Sequence, residues 1–470
     1  MFLRVIISLF FMPCFGQQPM VIDSLLFDLQ LFTNILKEAH PFINSKTDQH
    51  FLASMHGEAI ASLQNNPSYS HFGKQLYKIG QKIGDGHLSI TIPNPAKNIH
   101  FQFPFEIKII KDKAYITRSV VAIPSGSEII SLNKRPIVQI LKEFKKYILI
   151  DGEAYAKVDN ELSCRFNELY AQLFPLSKQL DITYKTPTDT TITKKISLTN
   201  FSEGIAKRQS EHYHFKFVEA RKYGAIATYY SEAYSLLLID FPTFQIPTHL
   251  FKTNIDAIFK YIEEKQLQKL IIDIRNNKGG NRTNTAYLFS YLTSKPYKQL
   301  YSTEVTNITI PYKPYVIAKK MDEGLTLDQK YREHITIDGW VRKFDDLEPI
   351  MIPFKNSFKG SIYFLINGGT LKEASSFAML GKQNDNISLI GQPTGSAKNY
   401  HTGGYQITYQ LPYSKIKVTL YLEKYNFFYK SAVEHKNTGV QPDYYVGNTP
   451  HSLITEKDAI LNYAKKLVTN

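Results

Sequence analysis

Thiols are scarce in this 470-residue chain: it has two cysteines, Cys14 and Cys164, and a single tryptophan, Trp340. Cys14 lies in a stretch with the form of a secretory signal, so the mature chain is expected to keep one thiol. An exported protein with one thiol has no internal disulfide and relies on its core. Long apolar runs are also lacking. The run from Val5 to Phe11 is too short to span a bilayer, and no later stretch is long and apolar enough, so no membrane span is expected. The glycines fit neither GxGxxG nor the P-loop, so no nucleotide cofactor, and no cofactor of any kind, is expected. His212 and His214 share a strand face without a third ligand at metal spacing, which argues against a metal. The net charge of +14 comes from scattered lysines rather than basic clusters interleaved with aromatics. It reads as solubility or attraction to an anionic envelope surface, and no nucleic-acid partner is expected.

What is present is a globular composition, 43% hydrophobic, in a chain long enough for two or three domains. Residues 1–16 read as a signal peptide: Arg4, the apolar run, then small residues Cys14 and Gly16 before a cut ahead of Gln17. The alternative is a buried N-terminal strand. "FFMPC" lacks the small residues that precede a lipidated cysteine, and lipidation of Cys14 stays open. Residues 17–95 read as a helical region. Leu25, Leu29, Phe32 and Leu36 form one stripe, Asp23 or Ser24 is a plausible cap, and Pro41 ends the first helix. Residues 100–200 read as a β-rich module of short strands and hairpins, a layout that could receive a peptide by strand addition. Residues 220–450 read as α/β, with near-continuous apolar strands such as "YSLLLIDF" and "KLIIDIRNN" and an insertion at 297–358. The fold class is therefore α+β and multidomain.

Three stretches at strand ends of the α/β region suit chemistry. "DIRNNKGGN" ends in Gly279-Gly280, whose amides are unobstructed and suit an oxyanion hole. "INGGTLKEASSFAML" runs from strand to Gly-Gly turn to helix. "GQPTGSAK" places Lys398 downstream as a possible base, or as an ordinary surface lysine. In the N-terminal region, "GDGHLSI" sets His87 on a tight turn entering a strand.

Together, "KLIIDIRNNKGGN", "FLINGGT…FAML", "LIGQPTG" and "GVQPD" resemble the C-terminal-processing (tail-specific) serine peptidases, including the tricorn-core-like branch. The order and spacing match over about residues 220–450. "GDGH" resembles that family's Asp-Gly-His turn, and "SGSEIISLNKRPI" the strand ending a PDZ-like module. The resemblance implies a crotonase-like ββα peptidase core, no cofactor, and a peptide or unfolded protein as substrate. It implies a serine nucleophile at the helix start and an oxyanion hole from Gly279, Gly280 and the amide of Glu373. The base is a Lys in one branch, nearest here to Lys398, and a His in the other, at His87. Glu434 is the nearest acidic residue before "GVQPD", set further back than the pattern asks.

The chain departs from that pattern at the centre. Counting from both sides puts Lys372 where the serine belongs, and the Lys-branch base falls on Ala397, one place before Lys398. Thr370 to Glu373 reads locally as a capping box. Ser375 and Ser376 lie about one turn into the helix. The expectation is an exported member of the serine-peptidase family whose activity is weakened or lost at Lys372. The alternative is a non-catalytic peptide binder of the cell envelope. The oligomeric state is not legible.

Overall fold

Strands Leu236–Asp240, Lys269–Asp273, Ser361–Ile366, Ile387–Gly391 and Tyr444–Tyr445 run parallel in one sheet, and Ile226–Ser231 and Glu219–Tyr223 extend it antiparallel. In this computed structural model the described residues are 21–43, 45–93, 103–174, 178–198, 219–320, 326–333, 339–342, 350–427, 437–455 and 458–469. The residues expected to form the signal peptide, and His212, His214 and Glu434, lie outside them.

The inner strands are apolar on both faces because both faces are covered. Leu237, Ile239, Leu270, Ile272 and Phe364 pack against Phe251 and Ile255 of helix Thr248–Glu264, Leu288 of helix Arg282–Ser290, and Phe377 of helix Glu373–Lys382. The alternate residues Leu236, Leu238, Ile271 and Leu365 pack against Ile460, Leu461 and Ala464 of helix Ala459–Thr469. Such two-faced burial is the largest favourable term available to the sheet, at ~25 cal/mol per Å² of apolar surface.

A second sheet runs Val316–Lys320, Tyr400–Gln410, Lys417–Phe427, Leu300–Val305, Trp340–Arg342, Tyr331–Glu333. The region read as an insertion thus supplies strands to the sheet built on the C-terminal hairpin. Strand Ser89–Thr91 also joins it, with Ser89 opposite Thr419. That pairing carries the segment just after His87 to the α/β core.

The N-terminal helices are Ile22–Ala39, Lys46–Asn65 and Tyr69–Ile83. The stripe of Leu25, Leu29, Phe32 and Leu36 is buried as the spacing predicts. The cap is not: Val21 precedes the first helix and no side chain caps it, in place of Asp23 or Ser24. The third helix ends at Gly84, φ 72, a left-handed C-cap that glycine adopts without cost. The chain then turns directly into Asp85-Gly86-His87.

A third sheet, with strands Phe105–Ile110, Lys113–Ser119, Glu128–Leu132, Gln179–Lys185 and Thr191–Ser197, makes the β-rich module. Its first hairpin turns at Lys111 and Asp112, both at positive φ, the geometry of a two-residue hairpin turn. The module also holds helix Ala156–Leu173, 18 residues long, which the sequence reading passed over.

Candidate active site

Two turns leave the same end of the parallel sheet. Asp273 lies opposite Leu365 in register, so the loop to Gly280 and the loop to Lys372 emerge side by side, at the carboxyl ends of strands where open α/β sheets place their sites. Their side chains stitch them together. Asn367 Oδ1 accepts from the amides of Asn276 (3.0 Å) and Gly369 (2.9 Å), and Thr370 Oγ1 donates to the Ile274 carbonyl (3.0 Å). Leu371 N–H donates to the Asn277 carbonyl (2.9 Å).

These bonds overturn the expected capping box. Thr370 is committed to Ile274 and Asn367, and the residue before helix Glu373–Lys382 is Lys372, with no side-chain cap bond. Lys372 has φ 52 and ψ −127, a conformation that residues with a Cβ rarely adopt. Its N–H donates to Ser396 Oγ (3.0 Å). Its Nζ donates to the Tyr421 hydroxyl (2.9 Å) and lies 4.4 Å from that ring's centroid. Glu373 does not cap its own helix; its carboxylate accepts the Gly280 N–H at 2.9 Å. Space there is tight. A Cβ on Gly279 would stand 2.7 Å from Lys372 Cβ, and one on Gly280 2.2 Å from the Gln245 amide nitrogen, so both positions require glycine.

His87 sits against this point from the N-terminal side. It lines one pocket of about 340 Å³ with Lys372, and its ring centroid is 6.2 Å from that of Tyr421. The imidazole is buried, and Nδ1 lies 3.2 Å from Asp85 Oδ1 and 3.3 Å from Asp151 Oδ1. Nε2 has no hydrogen-bond partner among the described residues. Asp85 is held by His40 Nε2 (3.0 Å) and the Thr402 hydroxyl (3.0 Å), and Asp151 accepts the Gly86 N–H (2.6 Å). Burial works against the charged form of His87, but Asp151 and Asp85 outweigh it and raise its pKa. Burial likewise opposes the Asp85 charge, but His40 and His87 hold its carboxyl well below the usual range. Asp151 is lowered by His87 against the same burial. Lys157 donates to the Gly86 carbonyl (2.7 Å), and burial pushes its pKa down.

Asp85, His87 and Asp151 offer donor atoms within 4.8 Å of one another, a spacing a metal could use. The contacts describe something else: one ring N–H shared by two carboxylates, the arrangement that orients a general base. Of these partners only His87 stood out in the sequence. Asp85 was visible in "GDGH", but Asp151 lies 64 residues further on with no motif around it.

The remaining expected residues do not converge on the helix mouth. Ser375 is buried, with Oγ 2.7 Å from Thr394 Oγ1 and 3.1 Å from the Ser396 carbonyl. Ser376 Oγ lies 3.3 Å from His401 Nε2, but that ring donates Nδ1–H to the Thr402 carbonyl (2.9 Å) and has no carboxylate in contact among the described residues. Burial lowers the His401 pKa to about 4, so the ring is neutral near pH 7. Lys398 is buried beside the 437–440 segment, where its N–H donates to the Thr438 carbonyl (3.0 Å), and it lines neither pocket that Lys372 lines. Desolvation lowers its pKa.

Lys372 also lines a larger cleft of about 930 Å³, together with Gly279, Gly280, Glu373, Tyr421 and Tyr425. The site is therefore a strained lysine at a helix mouth, between a carboxylate-braced histidine and two glycine amides that are both engaged, Gly280 on the Glu373 carboxylate and Gly279 on Asn277 Oδ1 (2.9 Å). Among the described residues no helix is long and apolar enough to cross a membrane.

Residues 235–446, a little under half of the chain, match the model of peptidase family S41, which supports a tail-specific peptidase core. The fold is similar to that of mature CPAF, at 16% identity over 95% of this chain and 96% of that one, with a TM-score of 0.67. A serine-to-alanine mutant of CPAF matches at 16% identity over 95% and 97% of the two chains, with a TM-score of 0.71. A search of curated protein sequences finds no significant match.

Proposed function

We propose that this chain binds peptide or unfolded-protein segments in its cleft and hydrolyses them feebly or not at all. The observation that carries the reading is Lys372 at the strained helix mouth, where the family resemblance asks for serine. An ammonium has no lone pair with which to attack a carbonyl. A neutral amine would form an amide, which hydrolyses far less readily than the ester a serine forms. The amide side of the site supports the same reading. An oxyanion hole works when its donors are preorganised and empty, and the Gly280 donor already holds the Glu373 carboxylate.

A serine elsewhere is a poor substitute. Ser375 is turned toward Thr394, about one helical turn from the mouth, roughly 5 Å. A misplacement of about 1 Å can cost roughly a hundredfold. The base side, by contrast, is complete: His87 keeps two carboxylates on Nδ1. We read the β-rich module as a PDZ-like unit on the resemblance of "SGSEIISLNKRPI" to the strand that ends such a module; its helix Ala156–Leu173 lends Lys157, Glu161 and Arg165 to the pocket that holds His87. Export, through residues 1–16, belongs to the same reading; N-terminal sequencing of protein from the cell envelope should begin near Gln17, and recovery of Met1 would refute it.

The test is incubation of the purified mature protein with denatured casein and with a fluorophosphonate probe, beside a peptide-binding measurement. Binding without labelling or cleavage is expected. Robust labelling with cleavage would make the chain an active serine-type peptidase. Absence of peptide binding would leave the fold as a scaffold.

A further inference from the structure

The larger cleft is walled by cations. Lys278, Arg282, Lys320, Lys330, Arg342 and Lys372 all line it. Its acidic lining residues are Glu373 and Glu423, so six positive groups face two negative ones, a formal excess of four. Both acids are engaged within the protein. Glu423 is fully buried, and it accepts Lys330 Nζ (2.9 Å) and the hydroxyls of Tyr331 and Tyr425. Glu373 accepts the Gly280 amide. Lys278 and Lys320 are exposed on the cleft wall. A concave surface lined by one sign of charge focuses its field and concentrates ligands of the opposite sign.

We propose that the ligand of this cleft is an acidic polypeptide segment, an extended chain with Asp or Glu side chains spaced along it. This rests on the reading of the cleft as a peptide site. Two observations favour a peptide over another polyanion. The aromatic faces in the cleft are already covered: Lys372 Nζ lies 4.4 Å from the Tyr421 centroid and the Arg282 guanidinium 5.8 Å from that of Tyr425. Single-stranded nucleic acid needs such faces for base stacking. Strand Val316–Lys320, whose Lys320 reaches the cleft, pairs on one side with Tyr400–Gln410, and among the described residues no strand pairs on its other side. An edge of that kind binds an extended peptide by main-chain hydrogen bonds, and alternate acidic side chains would then meet the cationic wall.

The experiment is fluorescence anisotropy of the full chain with three peptides of one length carrying Glu, Gln or Lys at alternate positions, beside a single-stranded oligonucleotide. At low salt the Glu peptide should bind at least about tenfold tighter than the Lys peptide, and the gap should close near ~1 M salt, where the screening length is about 3 Å. The Lys278→Glu, Lys320→Glu double variant should cost the Glu peptide about tenfold, the size two exposed ion pairs supply. Lys222→Glu, exposed on strand Glu219–Tyr223 of the parallel sheet and off the cleft lining, should leave affinity within about twofold. Equal binding of Glu and Lys peptides overturns the acidic preference while the peptide cleft stands. A Lys222→Glu loss as large as the double variant's overturns the cleft as its source. No peptide binding at all sinks the underlying reading, and oligonucleotide binding in its place overturns both.

Discussion

The Glu373 carboxylate accepts the backbone N–H of Gly280 at 2.9 Å, so a negative charge already occupies an amide suited to an oxyanion. If that contact suppresses chemistry, it should do so even with a serine restored at 372. In the Lys372→Ser background, Glu373→Ala should raise kcat/KM on a fluorogenic peptide by about tenfold or more, since a single oxyanion donor is worth ~10²–10³ in rate. An unchanged or lower value would mean the carboxylate yields freely to substrate.

Lys372 holds φ 52 with a Cβ attached. Left-handed backbone costs such a residue roughly 1–2 kcal/mol, and glycine is spared that cost. Lys372→Gly should therefore be more stable than Lys372→Ala by about 1 kcal/mol in urea unfolding, although glycine is ordinarily the less stable of the two in regular structure. Both variants lose the Tyr421 contact alike, so the comparison isolates the backbone. A more stable alanine variant would show that the strain is not there.

His401 is buried with its pKa lowered from 6.5 to about 4. Between those values the unfolded chain takes up a proton that the folded chain refuses, so stability falls as pH drops through that window. The loss at this site should be about 2 kcal/mol between pH 7 and pH 5. His401→Phe keeps an aromatic ring beside Phe427, 4.8 Å away between centroids, and removes the titration. The variant should start less stable at pH 7 and close the gap by about 2 kcal/mol at pH 5 in chemical unfolding. A gap independent of pH would contradict the assignment.

What the sequence made legible was set by local pattern. The strands of the α/β core announce themselves because burial on both faces leaves their centres apolar without alternation, as in the Leu270-Ile271-Ile272 run of Lys269–Asp273. The hairpin at Lys111–Asp112 follows from alternation around a polar tip. Helix Ala156–Leu173 was missed because Lys157, Asn160 and Ser163 interrupt its stripe, and Lys157 is buried for its bond to Gly86 rather than for packing. The capping box at Thr370 failed for a tertiary reason: Ile274 and Gly280, on a neighbouring strand's loop, compete for the two side chains that would have closed it. The bracing of His87 escaped because Asp151 reaches it by folding, from 64 residues away along the chain, and His40 acts on it only through Asp85.

The most direct measurement is the gain of hydrolysis on Lys372→Ser. On the proposed reading His87, braced by Asp85 and Asp151, is the base, and a hydroxyl at the helix mouth is the largest missing part. Wild-type protein, Lys372→Ser, and Lys372→Ser with His87→Ala are compared for fluorophosphonate labelling and casein cleavage. The account predicts labelling and cleavage in Lys372→Ser alone, at least tenfold above wild type and lost with His87→Ala. Wild-type cleavage as fast as that of Lys372→Ser, abolished by Ser375→Ala or Ser376→Ala, would contradict it and show that the nucleophile had moved.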